Sequence, residues 1–197
     1  MNSFDQCFER DLYKFMVGGP YEAYVEKAVE KILKHAEGAE TALSVGCGNG
    51  DIEAAIGDRL KLTLHDLHGA APQAHPELFW IPHLPNGQYG LVYAYGAVFA
   101  CVPQEQKQQW VDDLAARVVD GGTLYLCQGN SKPCRFCQAK AFSYLGQTIT
   151  EAPVKKGKDW YTIMTHIWGV QKIEITYYPA DIEQYWAKHK DRIKCVT

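Results

Sequence analysis

Hydrophobic residues along the chain alternate between two rhythms. From Tyr21 to Ala36 they recur at helical spacing: Tyr21, Val25, Ala28, Ile32 and Ala36 share one face, with Val29 and Leu33 beside it. Glu30 and Lys34 stand four apart in the favourable order, and Gly38 is a natural stop. Residues 41–45 then form a short apolar run that ends in glycines and predict a first, buried strand. Helical spacing returns over residues 51–60, through Ile52, Ala55, Ile56 and Leu60. Residues 61–65 predict a second strand that ends at Asp66.

Past a loop-like stretch with Gly69, Pro72 and Pro76, residues 78–81 predict a third strand and residues 91–95 a fourth. The connection between them, Pro82 to Gly87, is rich in turn residues. Pro103 opens a helix whose apolar face is Trp110, Val111, Leu114 and Val118. Asp120-Gly121-Gly122 stops that helix, and residues 123–127 predict a fifth strand. Strands that are continuously apolar and alternate with helices predict a parallel sheet covered on both faces. Right-handed crossovers make such a sheet doubly wound, with ligands beyond the carboxyl ends of its strands. After Asn130, residues 161–168 and 173–178 predict two more strands, antiparallel at the sheet edge, and residues 181–190 a last helix.

Composition narrows this picture. The 197 residues suit one domain, and 47% hydrophobic with 22% charged residues is globular. A formal net charge of −3 argues against a duplex nucleic acid partner, which rewards a basic excess. The run Lys155-Lys156-Gly157-Lys158 reads as a solvated loop. Seven cysteines, an odd number, together with no signal-like N-terminus and no membrane-length apolar run, predict a cytoplasmic protein with free thiols. Cys134-Arg135-Phe136-Cys137 is a lone Cys-x-x-Cys with no second pair nearby, and reads as two reduced cysteines. His65, His68, His75 and His83 cluster in sequence without tight metal spacing, so no metal is expected.

The sharpest chemistry lies where the first strand ends. Gly46, Gly48 and Gly50 follow that strand and open a helix, which lets an anionic or nucleotide-like ligand approach backbone N–H groups. Asp66 lies at the end of the next strand, where a carboxylate can accept from both hydroxyls of a ribose. The spacing Gly-x-Gly-x-Gly differs from the dinucleotide fingerprint Gly-x-Gly-x-x-Gly.

Here the chain resembles the class I S-adenosylmethionine-dependent methyltransferases. Residues 43–50, Leu-Ser-Val-Gly-Cys-Gly-Asn-Gly, match that family's first motif, and Asp66 matches its ribose-binding acid. Residues 84–92 look like its approach to the fourth strand, and residues 119–124 like its turn into the fifth. Three positions depart from the family pattern. Ser44 stands where an acid usually helps hold the methionine amino group. Ile81-Pro82 stands where an acid often reads the adenine amine, and Gly90 replaces a common aspartate.

The resemblance implies a doubly wound, mostly parallel seven-stranded α/β sheet with an antiparallel edge strand. It implies S-adenosyl-L-methionine as cofactor and in-line methyl transfer to an acceptor, read here as a small molecule. Cofactor-binding candidates are Gly46, Cys47, Gly48, Gly50, Asp66, Leu67, Pro82, His83, Ala94, Tyr95, Tyr13 and Tyr21. Tyr95 is expected beside the transferring methyl, with Phe99 and Cys101 following where relatives place acceptor-facing groups. Tyr21 is expected in a closing lid, and His166 is the candidate base. One domain is expected over residues 1–197: a helical lid (1–38), a cofactor core (39–130) and an acceptor-side segment (131–197) whose walls include Phe142, Tyr144, Trp160 and Trp168. Two rivals stand beside this reading. A protein or RNA methyltransferase would use a basic rim at Lys132, Arg135, Lys155, Lys156 and Lys158; a non-catalytic methyltransferase-like binding domain would explain Ser44 and Pro82.

Overall fold

A computed structural model of the chain describes residues 20–67, 71–96, 98–127, 140–144, 147–156, 159–168, 171–178 and 181–197. Helix α1 (Tyr21–His35) leads into β1 (Thr41–Val45), α2 (Asp51–Ile56) and β2 (Lys61–His65). A short α3 (Ala71–Ala74) precedes β3 (Trp80–Ile81) and β4 (Tyr89–Ala94). Then come α4 (Val98–Cys101), α5 (Lys107–Ala115) and β5 (Val118–Leu126). Strands β6 (Lys140–Tyr144), β7 (Gln147–Lys156), β8 (Asp159–Trp168) and β9 (Gln171–Tyr177) follow, and α6 (Glu183–Trp186) and β10 (Lys194–Val196) complete the order.

The main sheet has the strand order β10-β5-β4-β1-β2-β3, and every pairing in it is parallel. Its faces are covered separately. On one, Leu43, Val45, Val92, Ala94, Leu124 and Leu126 pack on Val111 and Leu114 of α5 and on Ile182 and Trp186 near α6. On the other, Ala42, Leu91, Tyr93 and Tyr125 pack on Val29 and Ile32 of α1 and Ile56 of α2. Alternate residues of each strand therefore serve opposite layers, the arrangement of a doubly wound sheet. Lys107, at the start of α5, is buried in the first layer; its ammonium donates to the Phe99 carbonyl and lies 4.0 Å from the Phe99 ring centroid. Burial lowers its pKa to about 8.

The late strands depart from expectation. The sheet has six strands, not seven, and no antiparallel edge strand among the described residues. The antiparallel strands form a sheet of their own, ordered β6-β7-β8-β9. The reason is local: two residues separate each of these strands from the next, so each pairs with its sequence neighbour. The free edge of β5 is taken instead by β10, which no pattern marked. Tyr178, just past β9, ties this second sheet to the first layer through its N–H to the Ala100 carbonyl, at 2.6 Å.

Three smaller differences have backbone causes. Asp120-Gly121-Gly122 does not precede the fifth strand but lies inside it: the β4–β5 register jumps between Tyr89 and Leu91, and Gly121 has φ of +78°. Pro103 precedes a 3₁₀ turn, Gln104–Gln106, before α5 begins. The expected last helix is one α turn followed by a 3₁₀ turn, Ala187–His189. No helix among the described residues is long and apolar enough to cross a membrane.

Candidate cofactor and active site

The order of the main sheet reverses between β1 and β4, and ligands of doubly wound sheets bind outside the strand ends at that reversal. The glycine loop leaves β1 there. Gly46, Gly48 and Gly50 have φ of +73°, +61° and +83°, a region that costs other residues free energy. Gly46 has a second requirement, because a Cβ would stand 2.7 Å and 2.8 Å from the two methyl carbons of Val98. The loop is laced to β2: the N–H groups of Gly46 and Cys47 both donate to the His65 carbonyl, at 2.8 Å and 3.3 Å. Asp66, nearly buried, accepts the Gly48 N–H on Oδ2 at 2.8 Å. Leu67, next in the chain, is 84% exposed and offers an apolar surface beside that carboxylate.

Beneath the loop sits a carboxyl that sequence reasoning missed. Glu53 of α2 is 2% exposed. Its Oε1 accepts from the Ser44 hydroxyl at 2.6 Å and from the Tyr93 hydroxyl at 2.8 Å. Its Oε2 is buried with no hydrogen-bond partner. The carboxyl's pKa is raised by burial, against the pull of those two donors. Ser44 thus holds an acid supplied by the neighbouring helix. The available signal was spacing: Glu53 and Ile56 are three apart, so both face the sheet. Cys47 in the loop has its thiol pushed up by burial first, then by Glu53 and Asp66, which disfavours it as a nucleophile.

Tyr21, a candidate lid residue, reaches Asp51, the first residue of α2. Asp51 also accepts from His75 Nε2 at 2.7 Å and interacts with Asn49. Burial raises the pKa of Asp51, but these hydrogen bonds outweigh it and leave the carboxyl below its ordinary value. At the end of β4, the Tyr95 ring is half-buried between Tyr24 and Tyr125, with centroids 5.9 Å and 6.1 Å away. Tyr24 is a second residue that sequence reasoning missed, though its spacing of three from Tyr21 puts both on one face. Its hydroxyl lies 3.4 Å from where a Cβ on Gly96 would be. Burial raises the pKa of both Tyr24 and Tyr95, so both stay protonated at neutral pH.

The other candidates fall in different places. Ala94 is buried at the carboxyl end of β4. Pro82 and His83 are exposed just past β3, the outer strand beyond β2. Phe99 packs in the core against Trp110 and Tyr185, so it faces no acceptor pocket. His166 lies on β8, in register with Ile149 and Ile173, but its side chain is outside the described set, as are those of Phe142, Tyr144, Trp160, Trp168, Lys155 and Lys156. Tyr13, His68, Lys132, Cys134, Arg135, Cys137 and Lys158 lie outside the described residues. Among the described residues, no group of three His, Cys, Asp or Glu side chains is placed to hold a metal.

No family model and no curated protein matches the sequence. Solved structures match its fold. An S-adenosylmethionine-dependent methyltransferase from Clostridium acetobutylicum aligns with a TM-score of 0.68 at 12% identity, over 93% of this chain and 87% of that one. An amino pentose methyltransferase of calicheamicin biosynthesis from Micromonospora echinaspora, solved with S-adenosylmethionine bound, aligns at 0.63 and 15% identity, over 91% and 85%. A sugar N-methyltransferase from a Streptoalloteichus species aligns at 0.58 and 16%, over 90% and 81%. The chain is a doubly wound α/β protein. Within that class, its fold is the one these S-adenosylmethionine-dependent methyltransferases share.

Proposed function

We propose that the protein is an S-adenosylmethionine-dependent methyltransferase acting on a small-molecule acceptor. The observation that carries this reading is the Gly46–Gly50 loop at the sheet's reversal point, with its Gly48 N–H held on Asp66 at the end of the neighbouring strand. The residues present fit this cofactor. Asp66 would accept from the ribose hydroxyls, Leu67 would cover the flat base, and the buried Glu53 oxygen without a partner suits a cationic ligand. Cys47, Ala94, Pro82, His83, Tyr13 and Tyr21 are the further contacts this reading assigns. The amino pentose and sugar methyltransferases of the same fold support a small-molecule acceptor. The free thiols of Cys47, Cys101, Cys127 and Cys195 suit a cytoplasmic setting.

When bound, the cofactor supplies an electrophilic methyl group on a sulfonium. The chain's own residues orient that methyl and wall off water. Tyr95 and Tyr24 supply ring faces and hydroxyl donors at the end of β4, and their raised pKa values make them donors rather than bases. Tyr21, held on Asp51, closes the loop side. His166 is the residue we assign as base for an acceptor that must lose a proton. Calorimetric titration with S-adenosylmethionine and S-adenosylhomocysteine tests the reading, and no binding of either would refute it. Screening acceptor pools for a methylated product by mass then tests the acceptor class.

A further inference from the structure

Glu53 poses a physical problem that the fold does not resolve. Its Oε1 is gripped by two hydroxyls, an arrangement that favours the carboxylate, while Oε2 is shielded from solvent and bare. A buried carboxylate is costly unless a positive charge faces it. The groups around it are Ser44 of β1, Tyr93 of β4, Tyr24 of α1, Cys47 of the loop and Asp51 on its own helix, and none is a cation. Two hydroxyls are dedicated to a carboxyl whose counter-charge is absent among the described residues.

We propose that Glu53 is the buried counter-charge for the cationic end of the cofactor, and that it releases its proton to solvent as the cofactor binds. This rests on the cofactor reading above. In the empty protein the carboxyl is kept neutral by burial, with Ser44 and Tyr93 still donating to Oε1. Were a ligand carrying positive charge to bind at the glycine loop, the O–H proton would leave, and the two hydroxyl donors would stabilise the resulting carboxylate. No other bond forms or breaks. Net charge balances: one ligand cation arrives and one proton departs. The shared chemistry is a ligand cation, supplied by an ammonium alone in S-adenosylhomocysteine and by an ammonium and a sulfonium in S-adenosylmethionine.

The test is calorimetric titration of the full chain in two buffers of different ionisation enthalpy, which counts protons exchanged on binding. Probes are S-adenosylhomocysteine, S-adenosylmethionine and methylthioadenosine, which lacks both cations. The wild type is expected to release close to one proton with S-adenosylhomocysteine, and Glu53→Gln none. Glu53→Gln is expected to weaken S-adenosylhomocysteine about ten-fold and to leave methylthioadenosine within about two-fold. A loss for both charged ligands assigns the ammonium as the partner, and a loss confined to S-adenosylmethionine, leaving S-adenosylhomocysteine unchanged, overturns the proposal. Equal weakening of all three ligands, the mark of a merely structural role, overturns the proposal. So does a wild type that releases no proton anywhere between about pH 5 and 8. If Glu53→Gln does not fold, the wild-type proton count decides, and Tyr93→Phe, which removes one donor, is expected to weaken the charged ligands alone. A wild type that binds none of the three refutes the cofactor reading itself, a result distinct from binding without proton release.

Discussion

Replacing Gly46 with alanine separates two costs that the loop imposes on one residue. The first is conformational: at φ of +73°, a side chain costs about 1–2 kcal/mol. The second is steric. The new Cβ would stand 2.7 Å and 2.8 Å from the methyl carbons of Val98, well inside contact, and overpacking of this kind costs about 1–3 kcal/mol. Together they amount to about 2–5 kcal/mol, a large share of a domain's stability. Gly57 is the internal control: its φ is +58°, and nothing lies within 4 Å of an added Cβ. Gly57→Ala is therefore expected to cost only the first amount. Urea unfolding of Gly46→Ala, Val98→Ala and the double variant measures the second cost directly, since Val98→Ala removes both clashing methyls. The coupling is expected to be about 1–3 kcal/mol. A coupling below about 0.5 kcal/mol, or a Gly46→Ala cost equal to that of Gly57→Ala, would refute the reasoning.

Three further outcomes follow from the same geometry. Asp66→Asn keeps an oxygen for the Gly48 N–H but loses the charge, and is expected to weaken S-adenosylmethionine about ten- to a hundred-fold by calorimetry; a change within about two-fold would sink the assignment. Because burial raises the Glu53 pKa above its unfolded value, the empty wild type loses stability as pH climbs through the folded value; Glu53→Gln should melt with it near pH ~4 and above it near pH ~8, and a constant gap would contradict this. Lys107 has the opposite sign: its folded pKa of about 8 lies below the unfolded one, so the cost of its buried charge is relieved as pH rises. Lys107→Met is expected to stabilise by about 1–3 kcal/mol at neutral pH, with the advantage fading between about pH 8 and 10.5, as thermal melts across that range would record.

What the sequence made legible was whatever rests on local pattern. Strands β1 and β2 coincide with their apolar runs, and α1 with its helical face, because burial on a sheet leaves a periodic trace. The glycine loop was legible because special backbone angles demand a particular residue, and Asp66 because it directly follows the second apolar run. Glu53 was hidden because its partners are nine and forty residues away, and a glutamate one turn into a helix normally marks a solvated start. Strand β7 was hidden for another reason. Its sequence, polar and interrupted by Pro153, carries no alternation, and its strand state comes from having a partner on each side. The third strand was expected at residues 78–81 and forms only at Trp80–Ile81, while the three-residue β10 is held by pairing across the sheet, which no window of sequence contains.

Strand β10 also sets a timetable for assembly. Residues 194–196 pair in parallel with residues 123–125, across roughly seventy intervening positions. Until that stretch has left the ribosome, β5 presents one row of unpaired amides and carbonyls, a template for pairing with a neighbouring chain. The hazard is greatest during synthesis and ends when three residues dock. A chain shortened to end before residue 194 should therefore self-associate under conditions where the full chain does not.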